Sequence, residues 1–199
     1  MVLEFIQTTQ PKAWNKFARH NKNNPEVNFI KSLVRQINNN GTIDVLRNGF
    51  RDIAKFDLFY PRPYNDLNLE LKAKFNKNIF SVIDELEYEK KEKGNRLDLV
   101  IFINGIPIST IELKDTFSQG VENAIKQYKN DRDPKEQIFR NCLVHFAMSD
   151  EKIYMSTSLM DIKHAFYSLI KVLITLKLKI TIKLLICILK SYRRINYQG

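Results

Sequence analysis

Cysteine is scarce in this chain, and its two, Cys142 and Cys187, stand far apart with no CxxC pair and no Cys/His cluster. That excludes a disulfide framework and a zinc site, and it fits a reducing cytoplasm. The N-terminus, Met1-Val2-Leu3-Glu4-Phe5-Ile6-Gln7, lacks a basic stretch followed by a long apolar run, so no secretory leader is expected. An uninterrupted apolar span is missing too. The most apolar segment, 165–189, is broken by Lys171, Lys177, Lys179 and Lys183, at intervals shorter than the roughly 20 apolar residues a membrane helix needs. Nor is there a G-x-x-x-x-G-K-[ST] phosphate loop, so ATP-driven chemistry is not encoded here. Residues 162–199 contain no acid at all.

What is present fits one ordinary domain with a tail: 199 residues, 44% of them hydrophobic. The formal charge of +10 invites a nucleic-acid reading, but six lysines and two arginines of the acid-free tail account for most of it. The other 161 residues hold 24 basic and 22 acidic side chains, so bulk charge alone is no argument for DNA binding. We divide the chain into a domain over 1–159 and a low-complexity basic and apolar tail over 160–199.

Periodicity predicts a helix from about Asn24 to Asn38, with Asn24 as cap, Pro25 in the first turn and Asn40-Gly41 as the stop. A strand over Phe56–Tyr60 and a short helix carrying Leu67, Leu71 and Phe75 follow. Strands are then expected over Ile79–Tyr88, Leu97–Ile103 and Ile108–Leu113, with turns at Glu89–Gly94 and Asn104-Gly105. Next comes a helix over Gln119–Asn130 capped by Ser118, with Val121, Ala124, Ile125 and Tyr128 as its apolar stripe, then strands over Cys142–Met148 and Ile153–Thr157. The fold class is α/β or α+β, a mixed sheet of about five strands flanked by helices.

The chemistry lies in Arg96-Leu97-Asp98-Leu99-Val100-Ile101-Phe102-Ile103 and in Ile111-Glu112-Leu113-Lys114. Carboxylates inside such apolar runs are costly unless a cation or a partner compensates them. Asp98 and Glu112 could hold a Mg²⁺ ion for phosphodiester hydrolysis, and Lys114, at i+2 from Glu112, projects to the same side. Three common charged residues at this loose spacing also arise on an ordinary solvated strand face. Parity discriminates between the two. With a strict two-residue hairpin at Asn104-Gly105, Asp98 faces Ile111 and the carboxylates lie on opposite faces. A three-residue loop or one bulge pairs Asp98 with Glu112 instead, so the site requires an irregular hairpin.

The stretch Asp98 to Pro107 with Ile111 to Lys114 resembles the PD-(D/E)xK nuclease motif of the restriction (R) subunit of type I restriction-modification enzymes. Further similarity lies in Leu46-Arg47-Asn48-Gly49-Phe50, Asn78 to Val82, Ala124 to Tyr128, Asp131 to Pro134, Val144 to Ala147 and Tyr154 to Thr157, so that it covers roughly residues 3 to 159. The resemblance implies a restriction-endonuclease-like fold with Asp98 and Glu112 as metal ligands, the Leu113 carbonyl as a further ligand and Lys114 as the catalytic lysine. It also implies a glutamine and a tyrosine on the following helix, commonly as Q-x-x-x-Y. Here Gln127 is followed directly by Tyr128, and Asp131 occupies the place of the spaced tyrosine; Gln127 is carried over as catalytic, while Tyr128 suits the apolar stripe as well. His145, in Leu143-Val144-His145-Phe146-Ala147, reads as a core histidine.

Full-length subunits of this kind also carry ATP-dependent motor lobes and begin with further N-terminal helices, part of which this chain is expected to lack. The implied activity is Mg²⁺-dependent cleavage of double-stranded DNA in the cytoplasm, with ATP used only by the full-length subunit. Methylation and specificity subunits would be partners, and no membrane would be involved. Two competing readings are a catalytically inactive DNA-binding remnant and an interaction protein that works through its basic tail. The tail itself, where resemblance stops, is expected to be poorly packed or fortuitously helical.

Overall fold

The structure, a computed structural model, describes residues 1–65, 67–88, 95–114, 120–149, 151–159 and 166–168. Four helices come first: α1 Val2–Thr9, α2 Pro11–His20, α3 Pro25–Asn40 and α4 Thr42–Asn48. Pro11 and Pro25 sit at the first helical positions, where a missing N–H costs nothing. Phe5, Ile6, Phe17, Phe29, Leu33 and Ile37 from the first three helices close on Phe50, Phe56 and Leu58. Phe29 meets Phe56 nearly edge-on with ring centroids 5.0 Å apart. Gly49, at φ +65°, brings the chain so close to the Phe56 carbonyl that any Cβ would collide with it.

The ribbon β1 Phe50–Arg51 and β2 Lys55–Phe56 leads to α5 Leu69–Phe75. Then follow β3 Phe80–Glu87, β4 Arg96–Ile103, β5 Ile106–Leu113, α6 Val121–Lys126, a π-helical turn Gln127–Asp131, α7 Gln137–Asn141, β6 Val144–Met148, β7 Ile153–Ser156 and β8 Tyr167–Ser168. Among the described residues the main sheet has six strands in chain order, antiparallel except for the parallel pair β5–β6. A parallel pair needs a crossover, and here α6, the π turn and α7 provide it. Val121, Ala124, Tyr128 and Phe139 from this crossover pack with Val100, Phe102 and Ala147 on one face of the sheet, while Leu99, Ile111, Met148 and Ile153 form a cluster of their own.

Several expectations need correction. Asn24 sits at φ +55° and makes no side-chain capping bond; Gly41 does end α3. The strand expected over Phe56–Tyr60 stops at Phe56, because beyond it the backbone partners are side-chain amides. The Tyr60 N–H donates to Asn78 Oδ1, and Asn104 Nδ2 donates to the Leu58 carbonyl. Asn68, accepting from the Leu71 N–H, caps α5, so Leu67 lies outside it; Leu67, Leu69 and Leu71 are exposed rather than a core stripe. Helices α1, α2, α4 and α7 were not anticipated. Gly120 precedes α6, while the proposed Ser118 cap, Gln119 and the turn at 89–94 lie outside the described residues. In the tail, Phe166 stacks on Tyr128 and Tyr167–Ser168 pairs with β7, so this portion is a short strand rather than a helix; 160–165 and 169–199 lie outside the described residues.

The hairpin tip fixes the position of β4 and β5. Asn104 and Gly105 have φ +50° and +80°, as a two-residue turn matched to strand twist requires. Asn104 is fully buried, accepts from the Ile79 N–H at 2.6 Å and donates to Leu58 O and Asn78 Oδ1. Asn104→Ala strands these groups, and a loss of roughly 2–3 kcal/mol is expected from urea unfolding. A loss below about 0.5 kcal/mol, the size of an ordinary surface change, would contradict this role for the turn.

Candidate active site

The required irregularity is present in β5. The pairs Phe102↔Pro107 and Ile103↔Ile106 obey the tight turn, but the register then shifts to Ile101↔Ser109, Val100↔Thr110 and Leu99↔Ile111. Two residues, Pro107 and Ile108, are thus accommodated where a regular ladder would place one, a β-bulge. Continued one step, the shifted register sets Asp98 opposite Glu112.

Strand β4 also rotates at Asp98. Strict alternation would put Leu97 with Leu99, yet Leu97 packs in the Val100 cluster and Leu99 in the Ile111 cluster. Across the β3–β4 pair, Asp84↔Leu99 and Leu86↔Leu97 flank Glu85, which lies opposite Asp98 at φ +47°. A non-glycine residue in the left-handed region within a strand is strained and marks the twist. As β4 turns away, the Leu113 N–H takes the Asp98 carboxylate as acceptor, at 2.6 Å from Oδ2. The Lys114 N–H donates to Met148 O on β6. The Leu113 N–H thus faces β4, while that of Lys114 faces β6.

Glu112 is fully buried. Its Oε1 accepts two N–H groups from one guanidinium, Arg132 Nε at 3.0 Å and Nη2 at 2.6 Å, while Oε2 is buried with no hydrogen-bond partner among the described residues. Burial pushes the Glu112 carboxyl up to about 7; Arg132 opposes this and Asp98 adds to it. Arg132, itself buried, also donates to Arg96 O and Tyr88 OH. Lys114, half-buried and two residues beyond Glu112, lowers the Glu112 pKa by its charge.

Asp98 and Lys114 are both near enough to Glu112 for their charges to act on it, and the Asp98 carboxylate takes the Leu113 N–H. Gln127 opens the π turn and is half-buried. Tyr128 is core: its hydroxyl lies 2.9 Å from Thr110 Oγ1, and burial holds its pKa well above the usual phenol range. His145, fully buried, has Nδ1 2.8 Å from Thr110 Oγ1, as expected of a core histidine. The residue missed is Arg132. Its sequence signal is its place in Asp131-Arg132-Asp133-Pro134, a segment of the family resemblance that also reads as a solvated helix stop and assigns Arg132 no role.

The donor set suits a hard divalent cation: two carboxylates, a main-chain carbonyl, and one buried carboxylate oxygen otherwise without a partner. Among the described residues no cluster of three or more His, Cys, Asp or Glu adds to it. Cys142 is a buried thiol whose pKa burial pushes up to about 12, so it offers no nucleophile.

A mixed sheet flanked by helices, with the carboxylates on its adjacent inner strands, makes this an α/β fold of the restriction-endonuclease-like class. The chain belongs to the family described as type I restriction enzyme R protein N terminus, which matches residues 5–163. A candidate type I restriction enzyme endonuclease subunit (MjaVIIIP) of Methanocaldococcus jannaschii is 37% identical over 86 residues, which is 41% of this chain and 8% of that protein. No solved structure matches the chain. Among the described residues no helix is long and apolar enough to cross a membrane.

Glu112 titrates near 4.5 when unperturbed and near about 7 in the fold. Between those values the folded state binds more protons than the unfolded one, so this group's contribution to stability falls as pH rises through the window and is level above it. Glu112→Gln removes the titration. The unfolding free energy of wild type minus variant is therefore expected to fall between pH 4.5 and 7 in urea titrations; a flat or rising difference would contradict the burial argument.

Proposed function

We propose that this domain is the Mg²⁺-dependent endonuclease domain of a type I restriction R subunit, hydrolysing double-stranded DNA in defence against foreign DNA. The observation that carries the reading is the register shift that, continued one step, sets Asp98 opposite Glu112, where the Asp98 carboxylate takes the Leu113 N–H. Asp98, Glu112 and the Leu113 carbonyl are the residues that would hold Mg²⁺. When bound, the ion activates a water, neutralises developing charge at phosphorus and orients the scissile phosphate. Lys114, whose charge acts on Glu112, would orient the attacking water and stabilise the charge that develops on the phosphoryl oxygens. Gln127, at the start of the π turn, is assigned to positioning the same water or phosphate.

DNA engagement is supported by a second feature. An open cavity of about 570 Å³ is lined by Lys12, Asn15, Lys16, Arg19, His20 and Ile53, and α2 contains no acidic residue. Such a surface suits backbone phosphates and carries no base readout. In the full-length subunit, recognition and methylation belong to partner subunits, ATP drives the motor, and the assembly works in the cytoplasm.

Supercoiled plasmid with Mg²⁺ or Mn²⁺ tests this directly. Asp98→Ala and Lys114→Ala are each expected to reduce nicking and linearisation by about 10²-fold or more. Cleavage unchanged by both substitutions would sink the assignment, and DNA binding without cleavage by the wild-type chain would favour the inactive, binding-only reading.

A further inference from the structure

We infer that Arg132 is a positioning residue for metal binding: it pins one oxygen of Glu112 so that the other is presented to the cation. The inference rests on the proposed metal site and goes beyond it. An arginine and a carboxylate usually pair fork to fork, two N–H groups to two oxygens. Here Nε and Nη2 converge on the single oxygen Oε1, at 3.0 and 2.6 Å. Oε2 is left buried with no partner among the described residues.

The guanidinium is held on Oε1 by further contacts. Nη2 also donates to the Arg96 carbonyl, Nη1 donates to Tyr88 OH, and the group lies 5.8 Å from the Tyr88 ring centroid. Arg96 belongs to the end of β4 beyond the rotation at Asp98, so one side chain ties the displaced strand to the carboxylate that the displacement brings into the site. The π turn makes this reach feasible: its wider ring sets Tyr128 into the core and delivers Arg132, directly after it, back to the sheet. A guanidinium that merely replaced the cation would be expected to take both carboxylate oxygens.

Calorimetric titration with Mn²⁺ alone, well below each protein's melting temperature, tests the inference with no dependence on cleavage. Arg132→Lys keeps a positive charge beside Glu112 but loses the three-way fork, and a 10- to 100-fold weaker dissociation constant is expected. Tyr88→Phe removes one tether and leaves the guanidinium; a several-fold weakening is expected, and this milder variant gives the answer if Arg132→Lys does not fold. Unchanged or tighter Mn²⁺ binding would overturn the inference, since a competing guanidinium would predict tighter binding. Asp98→Asn separates the two levels. If it abolishes binding while the Arg132 and Tyr88 variants do not weaken it, the site stands and the positioning role falls; if Asp98→Asn binds Mn²⁺ as wild type does, both fall.

Discussion

A carboxylate enclosed within an apolar sheet is the constraint to which the surrounding structure answers. Glu112 has no access to solvent, and an isolated buried charge would cost several kcal/mol or force protonation. One oxygen is compensated by Arg132, at a side-chain exposure of 3% for the arginine and 0% for the glutamate. The other is buried with no hydrogen-bond partner among the described residues. Replacing a buried ion pair with apolar side chains of similar volume is often neutral or stabilising, so stability alone is a weak reason for keeping this arrangement. Holding the proposed cation would give another.

Two departures from regular structure make the arrangement possible, and each has a local physical cause. The bulge at Pro107-Ile108 moves β5 by one residue relative to β4 and brings Glu112 level with Asp98. The rotation at Asp98, opposite Glu85 in the left-handed region, releases the Leu113 N–H from the ladder and hands it to the Asp98 carboxylate. Both act on a hairpin whose far end is fixed, because the buried Asn104 ties the turn to β3 and to the segment after β2. The helical layer contributes at a distance: Ile106, the first residue of β5, packs into the aromatic core built by α1 to α3.

Much of the hairpin was legible in the sequence because period-two alternation and Asn104-Gly105 are strong local signals, and because a charge inside Leu-Val-Ile-Phe-Ile demands compensation. The bulge followed from parity together with the requirement that Asp98 and Glu112 share a face. Arg132 was not legible, since its role depends on a π turn that no local pattern specifies and on a partner twenty residues away. The segment after Phe56 misled for a different reason: it has the composition of a strand, but Asn78 and Asn104 provide its partners through side-chain amides. Helices α1 and α2 are short, polar-rich and marginal as isolated helices, and they hold through Phe5, Ile6 and Phe17 packing on distant residues. Family resemblance singled out Asp98, Glu112 and Lys114 within a longer run of similarity, and all three lie within the matched residues 5–163.

The central claim is that the turning of β4 at Asp98 creates a cation site between Asp98, Glu112 and Leu113. Paramagnetic line broadening tests it most directly: substoichiometric Mn²⁺ is added to isotope-labelled protein and the loss of amide signals is mapped along the chain. The account predicts that Asp98, Glu112, Leu113 and Lys114 broaden first, with Arg132 close behind, and that Asp98→Asn abolishes the effect. Broadening centred elsewhere, or spread evenly over exposed carboxylates with these amides unaffected, would contradict it.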